Sequence, residues 1–115
     1  YVTSKFDALA SFSYQYTPLC FFGHTHTPVF YSKSLSVEVE DGLKVEIEQG
    51  KKYFTNVGSV GQPRDGDPRA SYCIYDMGGQ RMINRRVEYD LHTAQKKILD
   101  AGLPEMLAQR LELGK

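Results

Sequence analysis

The chain has 115 residues, of which 41% are hydrophobic, 24% charged and 12% aromatic, and its fourteen Lys and Arg balance fourteen Asp and Glu. A length in this range suits one domain or a piece of one. No apolar run approaches the roughly 20 residues of a membrane span, and zero net charge provides no global field for nucleic acid or an anionic membrane, so any phosphate recognition has to be local.

The first predicted element is a helix over about residues 4–14, with Phe6, Leu9, Ala10 and Ser13 on its apolar face and Ser4 capping against Asp7. A short apolar run, Leu19 to Phe22, follows Thr17-Pro18 as a buried-strand pattern, and Gly23 breaks it. Alternation at Leu35, Val37, Val39 and at Leu43, Val45, Ile47, with Asp41-Gly42 between, predicts a hairpin. A three-residue loop with Gly42 in the left-handed region would place Val39 opposite Leu43 and both apolar sets on one face.

Strands are predicted over Lys52–Asn56, Ala70–Asp76 and about Arg81–Tyr89, with a Gly- and Pro-rich loop from Gly58 to Pro68. Asp90 caps a helix carrying Leu91, Ala94, Ile98 and Ala101, which Gly102 ends, and Pro104 opens another that runs to Gly114. Strands with terminal helices indicate a layered α/β domain. Cys20 and Cys73 lie in apolar segments and are expected to be free thiols. No signal-peptide pattern is visible and the chain opens on Tyr1, so the expectation is a cytoplasmic protein whose N-terminal part is missing.

Gly23-His24-Thr25-His26, placed at the end of a buried strand, is the most informative local feature. Neutral imidazole binds divalent transition metals, and two His one residue apart either chelate one ion or are splayed onto two neighbouring ones. The same spacing also suits two polar loop residues. A cupin-like barrel would need a carboxylate soon after the second His, and Thr27-Pro28-Val29-Phe30-Tyr31 offers none.

The ordered combination of LCFFGHTHTPVF, a hairpin, TNVGSVGQPRDGDPRASYCIYD, a strand and two helices resembles the C-terminal part of calcineurin-like metallophosphoesterases of the bacterial predicted-phosphodiesterase type. The resemblance covers nearly the whole chain. It implies a four-layer αββα sandwich with mixed sheets and flanking helices, residues 1–115 being the C-terminal part of one domain. It also implies hydrolysis of phosphate mono- or diesters at a centre of two divalent ions, of which Mn, Fe, Zn and Ni all suit His and carboxylate ligands. His24 would bind one ion and His26 the other.

The Asp-x-His, Gly-Asp-x-x-Asp and Gly-Asn-His segments that precede GHTH in that family are absent, so the catalytic residues would lie outside the chain, in its missing N-terminal segment or a swapped copy. The chain alone is therefore expected to be inactive. Asn56-Val57-Gly58-Ser59 resembles the family's Asn-Pro-Gly-Ser loop, which makes Asn56, Gly58 and Ser59 candidates for substrate contact; a tight turn closing a strand accounts for them equally. Arg64 is a further candidate for a substrate phosphate, although arginines beside Asp65 and Asp67 commonly pair locally. His92 is expected to be a solvated helix residue. The rival function is a non-catalytic scaffold or binding module on the same fold.

Overall fold

Ser4 does what its spacing from Asp7 predicts. In a computed structural model that describes residues 1–115, its Oγ accepts from Asp7 N at 3.3 Å and opens α1 (Lys5–Phe12). The Asp7 carboxylate turns back to accept from Thr3 N at 3.0 Å, one residue earlier than a standard capping box. That bond, then Ser4, holds the Asp7 carboxyl below its ordinary value. Ser4→Ala is expected to lower stability by about 1 kcal/mol in urea denaturation.

The helix turns a different stripe to the core from the one its periodicity suggests. Phe6 and Leu9 are 86% and 49% exposed, while Ala8 and Phe12 are buried against Tyr31 and Phe54. The sequence offers two apolar stripes, and the aromatic sheet face selects the one whose Phe12 ring meets Phe54 edge-on, at 5.9 Å between centroids. Phe6 and Leu9 instead line a shallow groove with Leu35 and Val37.

Seven strands follow: β1 (Leu19–Phe22), β2 (Val29–Lys33), β3 (Val37–Glu40), β4 (Lys44–Glu46), β5 (Lys52–Asn56), β6 (Ala70–Asp76) and β7 (Arg81–Val87). They form a four-stranded sheet in the order β1-β5-β2-β3 and a three-stranded sheet in the order β4-β7-β6. β1 runs parallel to β5, with Phe22 beside Asn56; the other pairs are antiparallel.

The predicted Val39–Leu43 hairpin does not form. β3 pairs back onto β2, with Val39 opposite Tyr31, and β4 crosses to the second sheet, where Val45 lies opposite Met82. Gly42 does take a positive φ, 84°, but the turn it makes joins two sheets. The missed partner is Val29–Lys33, whose central Phe30, Tyr31 and Ser32 are all buried and therefore show no apolar-polar alternation.

Successive residues of the central strands face opposite layers. Tyr31 and Phe54 point to α1, with Phe22 stacked on Phe54 at 4.0 Å. Phe30 and Tyr53 point the other way and pack with Val45 and Met82 of the second sheet. Asp90 accepts from Thr93 N at 3.1 Å to open α2 (Leu91–Asp100), and α3 (Glu105–Leu113) packs against it and ends at Gly114, whose carbonyl accepts from Gly66 N at 3.0 Å. Cys20 and Cys73 are free, and burial pushes the Cys73 thiol up. No helix is long and apolar enough to cross a membrane.

Candidate metal centre

The parallel pairing of β1 and β5 brings two loops to one end of the four-stranded sheet. After Phe22 the chain enters Gly23-His24-Thr25-His26, and after Asn56 it enters Val57-Gly58-Ser59. Val57 N donates to Phe22 O at 3.3 Å, so the two exits stay in contact.

Both histidines have positive φ, 83° at His24 and 61° at His26. This conformation is costly for residues with a Cβ and persists where surrounding contacts over-determine it. Those contacts come from the second loop. Asn56 Nδ2 donates to Thr25 Oγ1 at 2.7 Å, between the two histidines, and Asn56 Oδ1 accepts from Gly58 N at 2.9 Å. Arg64 N donates to His26 O at 3.1 Å. The His26 Nδ1 lies 2.8 Å from the carbonyl oxygen of Gln62.

A carbonyl oxygen only accepts, so Nδ1 carries the proton and Nε2 of neutral His26 carries a lone pair. This is the tautomer and orienting contact that metal-binding imidazoles use. His24 is exposed, and the Tyr1 ring lies 4.4 Å from it, tilted by 51°. The two imidazoles fit as part of a metal donor set. They do not complete one, because no three His, Cys, Asp or Glu side chains of the chain come together as a metal-binding group.

The other candidates are placed differently. Asn56 is 1% exposed and both ends of its amide are engaged inside the protein. Gly58 has φ 81° and lies against Ser71. Ser59 Oγ accepts from Gln62 N at 2.9 Å. Arg64 is exposed, with Nε and Nη2 donating to Gln62 Oε1 at 2.9 and 2.5 Å. Residues 56–62 thus form a bracket behind the histidine loop, with Arg64 at its rim.

The neighbouring charges pair locally. Arg69 lies 2.7 Å from Asp67 and, with Arg86 beyond it, holds that carboxyl at about 2. Arg86 pairs with Asp65 and donates to Arg69 O at 3.1 Å. His92 is exposed on α2. Sequence reasoning missed Gln62, which acts through its backbone carbonyl, and Ser71, a small polar residue at a buried strand position. The one visible signal for Ser71 is that it is the second residue of the strand that follows the loop carrying Asn56-Val57-Gly58-Ser59.

The fold is similar to that of a solved structure. Over its full length the chain matches the crystal structure of a metallophosphoesterase from Sphaerobacter thermophilus, with a TM-score of 0.89 and 40% identity, and covers 49% of that chain. Among curated proteins it is 44% identical over 102 residues to an uncharacterized protein of Methanocaldococcus jannaschii, a match covering 89% of this chain and 42% of that protein. The chain therefore spans about half the length of these relatives. No family model matches it.

Proposed function

We propose that these 115 residues are the C-terminal part of a metallophosphoesterase domain, a four-layer αββα sandwich, and that they contribute His24 and His26 to a two-metal centre hydrolysing phosphate mono- or diesters. The observation that carries this reading is the His26 Nδ1 contact with Gln62 O at 2.8 Å, in a loop whose two histidines both adopt the left-handed conformation. Likeness to a metallophosphoesterase at 40% identity supports it.

His24 would hold one ion and His26, through Nε2, the other, with the remaining ligands supplied from outside these residues. Two divalent ions, of Mn, Fe, Zn or Ni, would supply an activated water and neutralise the phosphoryl oxygens. The chain's own work is positional. Asn56 fixes Thr25 between the two imidazoles, Gln62 fixes the His26 ring, and Gly58 and Ser59 shape the turn that places both. Of the four substrate candidates, Arg64 alone is exposed at the rim, where its guanidinium can meet an anionic oxygen.

The test is an assay of a chromogenic phosphodiester with the full-length polypeptide and with residues 1–115, each supplied in turn with Mn²⁺, Zn²⁺, Fe²⁺ and Ni²⁺. Turnover by the full-length protein and none by the shorter chain is expected. Comparable turnover by both would show that this chain holds a complete centre. No turnover by the full-length protein with any of the four ions would favour a non-catalytic module.

A further inference from the structure

Two polar side chains of the second sheet reach the bracket from behind. Ser71, 1% exposed at the start of β6, uses both of its donors on the loop: its N–H donates to Ser59 O at 2.9 Å and its hydroxyl to Val57 O at 3.0 Å. One residue thereby grips the chain on both sides of Gly58. Asn84 on β7, 4% exposed, donates from Nδ2 to Ser71 Oγ at 2.9 Å and to Tyr72 O at 3.3 Å.

The direction of these bonds matters because a hydroxyl has one hydrogen. With Asn84 donating into its lone pair, the Ser71 hydroxyl is left to point its hydrogen at Val57 O. Without Asn84 the hydroxyl rotor is freer and the grip on Val57 weakens. Asn84 also carries a cost, since its buried Oδ1 has no hydrogen-bond partner. A buried acceptor without a partner destabilises a fold; an apolar side chain of similar size would remove that penalty together with the two bonds that Nδ2 donates, so the two effects offset.

From the bracket the line of contacts continues to the middle and the His26 end of the histidine loop. Asn56 reaches Thr25, Ser59 Oγ accepts from Gln62 N, and the Gln62 carbonyl orients His26. We propose that Ser71 and Asn84 are positioning residues for the metal-binding histidines, acting through Val57, Ser59 and Gln62. The inference rests on the metal reading of His24 and His26.

The experiment is a titration of the metal-free full-length protein with Co²⁺, followed by calorimetry and visible absorption, alongside thermal melting of the same metal-free samples. Asn84→Leu removes the donor and the unpartnered acceptor together. It is expected to melt within a few degrees of wild type, the two lost hydrogen bonds offsetting the removed acceptor, while binding Co²⁺ about tenfold more weakly, the low end of the effect of a ligand's outer partners. Ser71→Ala is expected to lower both melting temperature and affinity. If Ser71→Ala fails to fold, Asn84→Leu still decides.

Co²⁺ affinity within twofold of wild type in Asn84→Leu would overturn the proposal. In that same Asn84→Leu variant, a loss of affinity accompanied by a matching loss of melting temperature would also overturn it, by marking a purely structural role. His26→Asn, which can keep a donor to Gln62 O but lacks Nε2, separates the two levels. Unchanged Co²⁺ binding in that variant would sink the metal reading itself, whereas lost binding there with unchanged binding in Asn84→Leu would sink only the positioning of the loop from the second sheet.

Discussion

On the metal reading proposed above, replacing His26 by Asn in the full-length protein is expected to weaken binding of the ion at that position by at least about 100-fold, since loss of an outer partner alone costs about 10- to 100-fold and loss of the ligand itself costs more. The proposed phosphodiester hydrolysis is expected to fall by at least about 10²- to 10³-fold, the scale on which a single group stabilising developing charge contributes. Asparagine is the informative substitution here. It tolerates the left-handed conformation that His26 adopts at φ 61°, and its amide Nδ2 can take over the donation from Nδ1 to Gln62 O. What it lacks is the Nε2 lone pair.

The metal-free His26→Asn protein should therefore melt within a few degrees of wild type. His26→Ala confounds loss of the ligand with loss of the Gln62 bond. Metal content by elemental analysis and melting of the metal-free form are the two measurements. Full metal occupancy in His26→Asn would refute the ligand assignment, whatever the activity.

What could be read from the sequence divides along physical lines. Lys52–Asn56 and Ala70–Asp76 emerge as strands with their observed ends because Asn56-Val57-Gly58 and Asp76-Met77-Gly78 punctuate them. The caps at Ser4 and Asp90 were legible because a short side chain finds its acceptor role within three residues. The strand Val29–Lys33 was not legible. A helix layer covers one of its faces and a second sheet the other, so the alternation that marks a half-exposed strand disappears.

Without that strand its neighbours are displaced, and alternation alone pairs Val37–Glu40 with Lys44–Glu46, where the structure pairs the first with β2 and the second with β7. The helix face failed for a related reason. Phe6 and Phe12 are both apolar, and only the position of Phe54 decides which of them is covered. The candidate site shows the same division. Two histidines announce themselves by residue type, but the group that meets the His26 ring is a peptide carbonyl at Gln62, and the loop carrying Gln62 is gripped by a buried serine from another sheet. Neither carries a chemical label in a sequence.

Gly58→Ala is expected to destabilise the protein by about 2–5 kcal/mol, the sum of two separable costs. One is conformational: φ is 81° here, and a Cβ in the left-handed region costs roughly 1–2 kcal/mol. The other is steric. A Cβ on Gly58 would lie 2.4 Å from Ser71 Oγ and 2.8 Å from Ser71 Cβ, with Pro28 Cδ at 3.3 Å. Ser71 is almost fully buried and hydrogen-bonded on both sides of this glycine, so it has no room to withdraw, and overpacking of this kind typically costs about 1–3 kcal/mol. Gly42 is the internal control. Its φ is 84°, but nothing lies within 4 Å of the added carbon, so Gly42→Ala should show the conformational cost alone, about 1–2 kcal/mol. Urea denaturation of both variants measures the difference directly. Equal losses in the two would show that Ser71 yields to the intruding methyl, and that the bracket behind the histidines is softer than its hydrogen bonds imply.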